Sequence, residues 1–108
     1  MGYENIIVDK KINLTGEDKV TTIIDGGGDG NVVNINTSGV TIRGFTIQNS
    51  GTYGWEDAGI LIFAVHGGDI ITITDNIITT NHFGIIVQFN YILITNNIIR
   101  NNTNTGIY

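Results

Sequence analysis

Three stretches of this chain, residues 40–50, 71–81 and 92–102, align on one another without a gap. The last two read ITITDNIITTN and ILITNNIIRNN, and the first, VTIRGFTIQNS, keeps the same apolar spacing. A second marker follows each: Gly59-Ile60-Leu61-Ile62, then Gly84-Ile85-Ile86-Val87, then Gly106-Ile107-Tyr108. A short unit repeated in this way cannot bury its apolar face alone and must stack on its neighbours, which makes a solenoid. Ile71 and Ile92 are 21 residues apart, Gly84 and Gly106 are 22 apart, and Val40 and Ile71 are 31 apart. The unit is therefore about 22 residues, with some ten more inserted in one turn.

Within each unit the apolar residues alternate, as in Val40-Thr41-Ile42 and Ile71-Thr72-Ile73-Thr74. That is the period of a half-buried strand. Composition agrees, because 22 Ile, 14 Asn and 14 Thr with 15 Gly favour strands and turns over helix. The reading is all-β: a right-handed parallel β-helix of about five coils, each with three short strands and tight polar corners. Ile42, Ile73 and Ile94 stack inside, as do Ile47, Ile78 and Ile99. Asn76 and Asn97 fall at one corner, below Phe45, where stacked amides hydrogen-bond along the column. Gly59, Gly84 and Gly106 mark a place needing either positive φ or close backbone approach. The absence of Pro fits strands that must donate on both edges. The first 36 residues follow the repeat less clearly, with strands expected over 4–8, 11–16, 22–26 and 32–35. Residues 26–30, Gly-Gly-Gly-Asp-Gly, can only be a loop.

The string ENIIVDKKINLTGEDKVTTIIDGGG, followed by VTIRGFTIQNSG and the GILI and ITITDN units, resembles the right-handed parallel β-helix repeat proteins. The nearest branch is the NosD-like group, within a superfamily that also holds pectate lyases. The resemblance spans essentially the whole chain. It implies a single domain over 1–108 that is a piece of a longer solenoid, in an extracellular, cell-surface or periplasmic setting. It does not select among enzymes, adhesins and spacers, since one fold hosts many functions.

Several function classes are excluded by composition. Without Cys there is no disulfide framework and no thiolate metal site. A net charge of −5 with only five Lys+Arg argues against nucleic acid, which requires clustered cations. No apolar run approaches the length of a membrane-spanning helix, so no membrane insertion is expected. Residues 26–30 lack the Lys-Ser/Thr and the helix of a phosphate loop.

The insertion Gly51-Thr52-Tyr53-Gly54-Trp55-Glu56-Asp57-Ala58 places the single Trp, a Tyr and two carboxylates in one loop. Rings beside carboxylates suit a sugar, so Tyr53, Trp55, Glu56 and Asp57 are candidate glycan ligands, against the alternative of Trp55 packing on the coil. His66 and Asp69 extend the candidate set, with His66 paired to Asp69 or Asp57 as acid and base, or near His82. Two His without Cys make a thin copper site, so no metal and no cofactor is assigned. A lyase of this fold resembles its relatives in using an Arg base and a row of calcium-binding carboxylates. Here Arg43 and Arg100 lie in different columns, and Asp75 stands between Gly44 and Asn96. Asp25 and Asp29 flank the glycine loop, where Asp-Gly is foremost turn chemistry. The favoured function is a non-enzymatic scaffold with a glycan-binding or adhesive surface. The alternative is part of a polysaccharide lyase or glycoside hydrolase. Alternation places Leu61, Phe63, Ile77, Ile86, Leu93 and Ile98 on the outer surface, and homo-oligomers are expected through open coil ends or the apolar stripe that Ile77 and Ile98 make in one outer column.

Overall fold

The computed structural model describes residues 3–52 and 57–108. Among the described residues every regular element is a strand. In chain order these are β1 (Ile6–Val8), β2 (Asn13–Thr15), β3 (Ile23–Asp25), β4 (Val33–Thr37), β5 (Thr41–Arg43) and β6 (Thr46–Gln48). They continue as β7 (Ala58–His66), β8 (Ile71–Thr74), β9 (Ile77–Thr79), β10 (Phe83–Val87), β11 (Ile92–Thr95), β12 (Ile98–Arg100) and β13 (Thr105–Ile107). The four strands expected before residue 36 are β1 to β4.

Strands three apart in sequence pair in parallel and form three sheets: β1-β4-β7-β10-β13, β2-β5-β8-β11 and β3-β6-β9-β12. The chain thus completes four turns of three strands and opens a fifth with β13. All-β structure, parallel pairing and strands recurring in sequence are the organisation of a parallel β-solenoid.

The register reproduces the columns read from the repeat. Ile42 pairs with Ile73 and Ile73 with Ile94, and Ile47 pairs with Ile78 and Ile78 with Ile99. In the first sheet Val33, Ile60, Ile85 and Ile107 stack in the same way. These inward rows merge into one core, in which Ile42, Ile47, Ile60, Ile73, Ile78 and Ile85 have no exposed surface. Each contributes roughly 1.5–3 kcal/mol by leaving water, and its branched Cβ packs flat on the residue one turn below.

The inserted residues divide between two corners. Ser50 stacks on Asn81 and Ala58 pairs with Phe83, while Ile62 pairs with Val87 and Ile71 with Ile92. Six extra residues therefore lie in 51–57 and four in 63–70. The second group lengthens β7 to His66, with Ala64 at φ 54° and a register shift against Ile35 and Thr37 of β4.

The outer face departs from expectation. Phe63, Leu93 and Ile98 are exposed and Ile77 is half-buried, but Leu61 and Ile86 are buried. They join Ala58 and the corner aromatic Phe83 in a second small cluster on the first sheet, while Ile77 and Ile98 pair in one column of the third. No helix among the described residues is long and apolar enough to cross a membrane.

Candidate functional site

Two of the three corners are built from the same two-residue device. At the corner between the second and third sheets, Gly44, Asp75 and Asn96 take left-handed backbone, followed by the buried or half-buried Phe45, Asn76 and Asn97. At the corner between the third and first sheets, Asn49, Thr80 and Asn101 are left-handed, followed by Ser50, Asn81 and Asn102. In each case the inward Asn spans one turn. Asn76 Nδ2 donates to the Ile42 carbonyl at 3.1 Å, and its Oδ1 accepts from the Phe45 N–H at 3.1 Å. Asn97 repeats this on Ile73 and the Asn76 N–H. At the other corner Asn81 and Asn102 bond the Ile47 and Ile78 carbonyls, both at 3.2 Å. Their Oδ1 atoms accept the N–H groups of Ser50 and Asn81. Turn groups that a buried corner would leave orphaned are satisfied, at a net benefit of about 1 kcal/mol per bond.

The second ladder and the carbonyl of the next glycine together crowd the glycine column, Gly84 over Gly59 and Gly106 over Gly84. Gly59 and Gly84 are not among the positive-φ residues and lie one residue inside β7 and β10. A Cβ on Gly59 would lie 2.6 Å from Asn81 Nδ2, and one on Gly84 would lie 3.1 Å from Asn102 Nδ2. Close approach, not left-handed backbone, is what requires glycine there.

A groove of about 410 Å³ runs along this corner. Asp25, Asn49, Thr80 and Thr103 contribute one lining residue from each of four successive turns, and Tyr3 and Gly27 form one end. Asp25 is only 9% exposed, and its carboxylate closes a turn by accepting from the Gly27 N–H at 2.8 Å. Its other oxygen accepts from Gln48 Nε2 at 3.0 Å and Asn49 Nδ2 at 2.8 Å. Burial pushes this carboxyl up, but donation from the Gln48 amide, the Gly27 N–H and the Asn49 amide outweighs it. The pKa therefore falls below the ordinary 3.8. These donors would have to be displaced for a cation to bind, so Asp25 serves the turn. Gly27 and Gly28 have φ of 68° and 79°, as that turn demands.

Tyr53, Trp55 and Glu56 lie outside the described residues, so the proposed aromatic loop platform is not defined by the structure. Asp57 sits at the entry to β7, beside Gly51 and beneath Phe83, whose N–H bonds the Asp57 carbonyl at 3.0 Å. His66 stands at the far end of the same strand, so the expected His66–Asp57 pair is not formed. His82 precedes β10 on the Asp57 side, and the length of β7 therefore separates the two histidines as well. His82 is held where it is by Thr103, at 3.1 Å from Nδ1, and by an edge contact to Phe83. Asp69 pairs with Lys11 at 2.9 Å, both ends exposed. Asp75 bonds Lys19 at 2.7 Å, and that bond and charge hold its carboxyl below the usual range. Among the described residues no three His, Cys, Asp or Glu gather to hold a metal ion. Arg43 and Arg100 belong to different sheets.

The groove residues escaped the sequence reading in different ways. Asp25 was visible as a turn residue, and the Asn49–Thr80–Asn101 column lay inside the aligned repeat. Tyr3 carried no signal, because only the fold brings it to Gly27. No family model, curated protein or solved structure matches this chain.

Proposed function

We propose that this chain is a right-handed parallel β-helix segment, built like the NosD-like repeat proteins it resembles. It acts as a rigid scaffold with a glycan-binding surface, in the cell-envelope setting that the resemblance implies. Handedness follows from the parallel crossovers, which are right-handed in the great majority of such connections. The observation that carries the function is the open groove along one stacked corner, which combines an aromatic ring, Thr methyls and glycine backbone with amide, hydroxyl and carboxylate groups. That mixture matches a saccharide, whose ring presents apolar C–H faces and a polar rim. Its size lies within the range of ligand sites, roughly 300–1,000 Å³. Corners locked by two Asn ladders give a preorganised surface, which lowers the ordering cost of binding.

The test is a panel of soluble glycans screened for binding, with polysaccharide cleavage assayed in parallel with and without calcium. Binding without cleavage is the expected result. Cleavage would overturn the non-enzymatic reading in favour of a lyase or hydrolase, and absence of any binding would leave only the scaffold.

A further inference from the structure

We propose that the corner groove takes a neutral oligosaccharide and rejects uronate polymers, with the Tyr3 ring as stacking platform and Asp25 as acceptor for a sugar hydroxyl. The inference rests on the glycan-binding reading and assigns it a place and a ligand class.

Tyr3 is 75% exposed, yet it is not a side chain in free solvent. A Cβ on Gly27 would lie 2.8 Å from both Cβ and Cγ of Tyr3. The Tyr3 side chain thus lies over the bare glycine backbone and leaves most of its surface free beside the groove. An aromatic surface supported from behind and open in front is what the C–H face of a pyranose stacks upon.

Asp25 supplies the polar counterpart. A carboxylate offers about four acceptor positions, and Gly27, Gln48 and Asn49 fill three of them. The fourth suits a hydroxyl, which donates one hydrogen bond without dislodging the amides. A metal ion would need several oxygens and would compete with those donors.

Charge decides between classes of glycan. Among the described lining residues there is no Lys, Arg or His, and the one carboxylate is that of Asp25. A uronate or sulfated sugar would bring like charge against it with no Lys or Arg among the described lining residues to answer, whereas a neutral sugar meets no such penalty.

Backbone strain points to the same place. Thr80 lines the groove at φ 58°, in a column whose other left-handed members are Asn49 and Asn101. A β-branched residue is a rare occupant of that conformation, and strain of this kind collects at ligand sites. From Asp25 to Thr103 the groove crosses three strand spacings, about 14 Å, which fits a chain of sugars better than a single ring.

Calorimetric titration of the folded chain with cello-, xylo- and manno-oligosaccharides, and with oligogalacturonate, provides the test. At least one neutral series should bind and oligogalacturonate should not, even at low salt. Tyr3→Ala, at a position that is three-quarters exposed, should weaken neutral-sugar binding roughly tenfold. Thr103→Ala should also weaken it, and Asp25→Asn serves as a further probe if it folds. Oligogalacturonate binding as tightly as the neutral sugars would overturn the proposal. So would neutral-sugar binding that survives Tyr3→Ala but is lost in Trp55→Ala, which would move the ligand to the 53–56 loop and leave the glycan-binding reading standing. If no saccharide binds, both readings fall.

Discussion

Gly59 and Asn81 share one niche: the space a Cβ on the glycine would fill holds the amide nitrogen of Asn81, 2.6 Å away. That amide is buried, and it ties the corner between β9 and β10 to the corner between β6 and β7 through the Ile47 carbonyl and the Ser50 N–H. Gly84 and Asn102 stand in the same relation one turn on. The glycine column is therefore crowded from two sides, by the Asn ladder and by the backbone carbonyl of the next glycine, Gly84 over Gly59 and Gly106 over Gly84.

Gly59→Ala should therefore destabilise the fold by about 1–3 kcal/mol, because the methyl displaces a buried amide from its bonds. Chemical denaturation checks this. An unchanged midpoint would mean that the corner shifts freely and that the niche is not shared.

The two members of the other ladder should differ. Asn76 is fully buried and satisfies the Phe45 N–H and the Ile42 carbonyl, whereas Asn97 is half-buried at the next turn. Asn97→Ala is expected to cost roughly 1–3 kcal/mol, and Asn76→Ala more than Asn97→Ala. Thermal melts of both variants decide it, and equal losses would show that burial does not set the strength of the ladder.

Thr80 offers a change in the opposite direction. Replacing it with Asn, as at positions 49 and 101, should relieve left-handed strain and stabilise by about 1 kcal/mol, or roughly 4 °C in Tm. The same substitution alters the groove wall, so sugar binding should change while stability rises. A fall in Tm would mean that the Thr80 hydroxyl holds something the backbone argument omits.

Much of the fold was legible because a solenoid writes its register into its sequence. The Ile42–Ile73–Ile94 column follows directly from the alignment, as do the Asn76–Asn97 corner and the ten inserted residues. The pairing of Gly59 with Asn81 was not legible, because those residues lie in adjacent turns and nothing in either segment signals the contact. Leu61 and Ile86 show a related limit: alternation gives the face a side chain takes, not what covers that face. The histidines failed for a geometric reason. The corners that hold His66 and His82 lie at opposite ends of the first sheet, so the two are near in sequence and apart in space. Tyr3 reaches the groove through packing on a glycine 24 residues away, a contact no local pattern encodes.

Self-association is expected from the outer face of the last turns. Ile98 pairs with Ile77 in register in one outward column of the third sheet, and Ile98 is about half exposed. An outward apolar column favours contact between copies, and a net charge of −5 opposes it weakly at physiological salt. Light scattering at micromolar concentration should give a mass above 11.7 kDa, and Ile98→Lys should lower it. A strictly monomeric wild type would sink the expectation.

Acid stability should report on Asp25. Its folded pKa lies below 3.8 because the Gln48, Gly27 and Asn49 donors outweigh its burial, so folding favours the ionised form. The stabilisation is therefore fully present above pH 3.8, and is lost as pH falls below that value through the folded pKa. Asp25→Asn removes the titration and turns one end of the side chain into a donor facing the Gln48 and Asn49 amides. The variant should be less stable at neutral pH and flatter on the acid side. Asp75 titrates over the same window through Lys19, but that pair is only half-buried, and added salt screens it more than the shielded Asp25 bonds. Tm measured down to about pH 2 at low and high salt separates the two carboxyls. If wild type and Asp25→Asn lose stability in parallel under high salt, the Asp25 turn makes no contribution that depends on its charge.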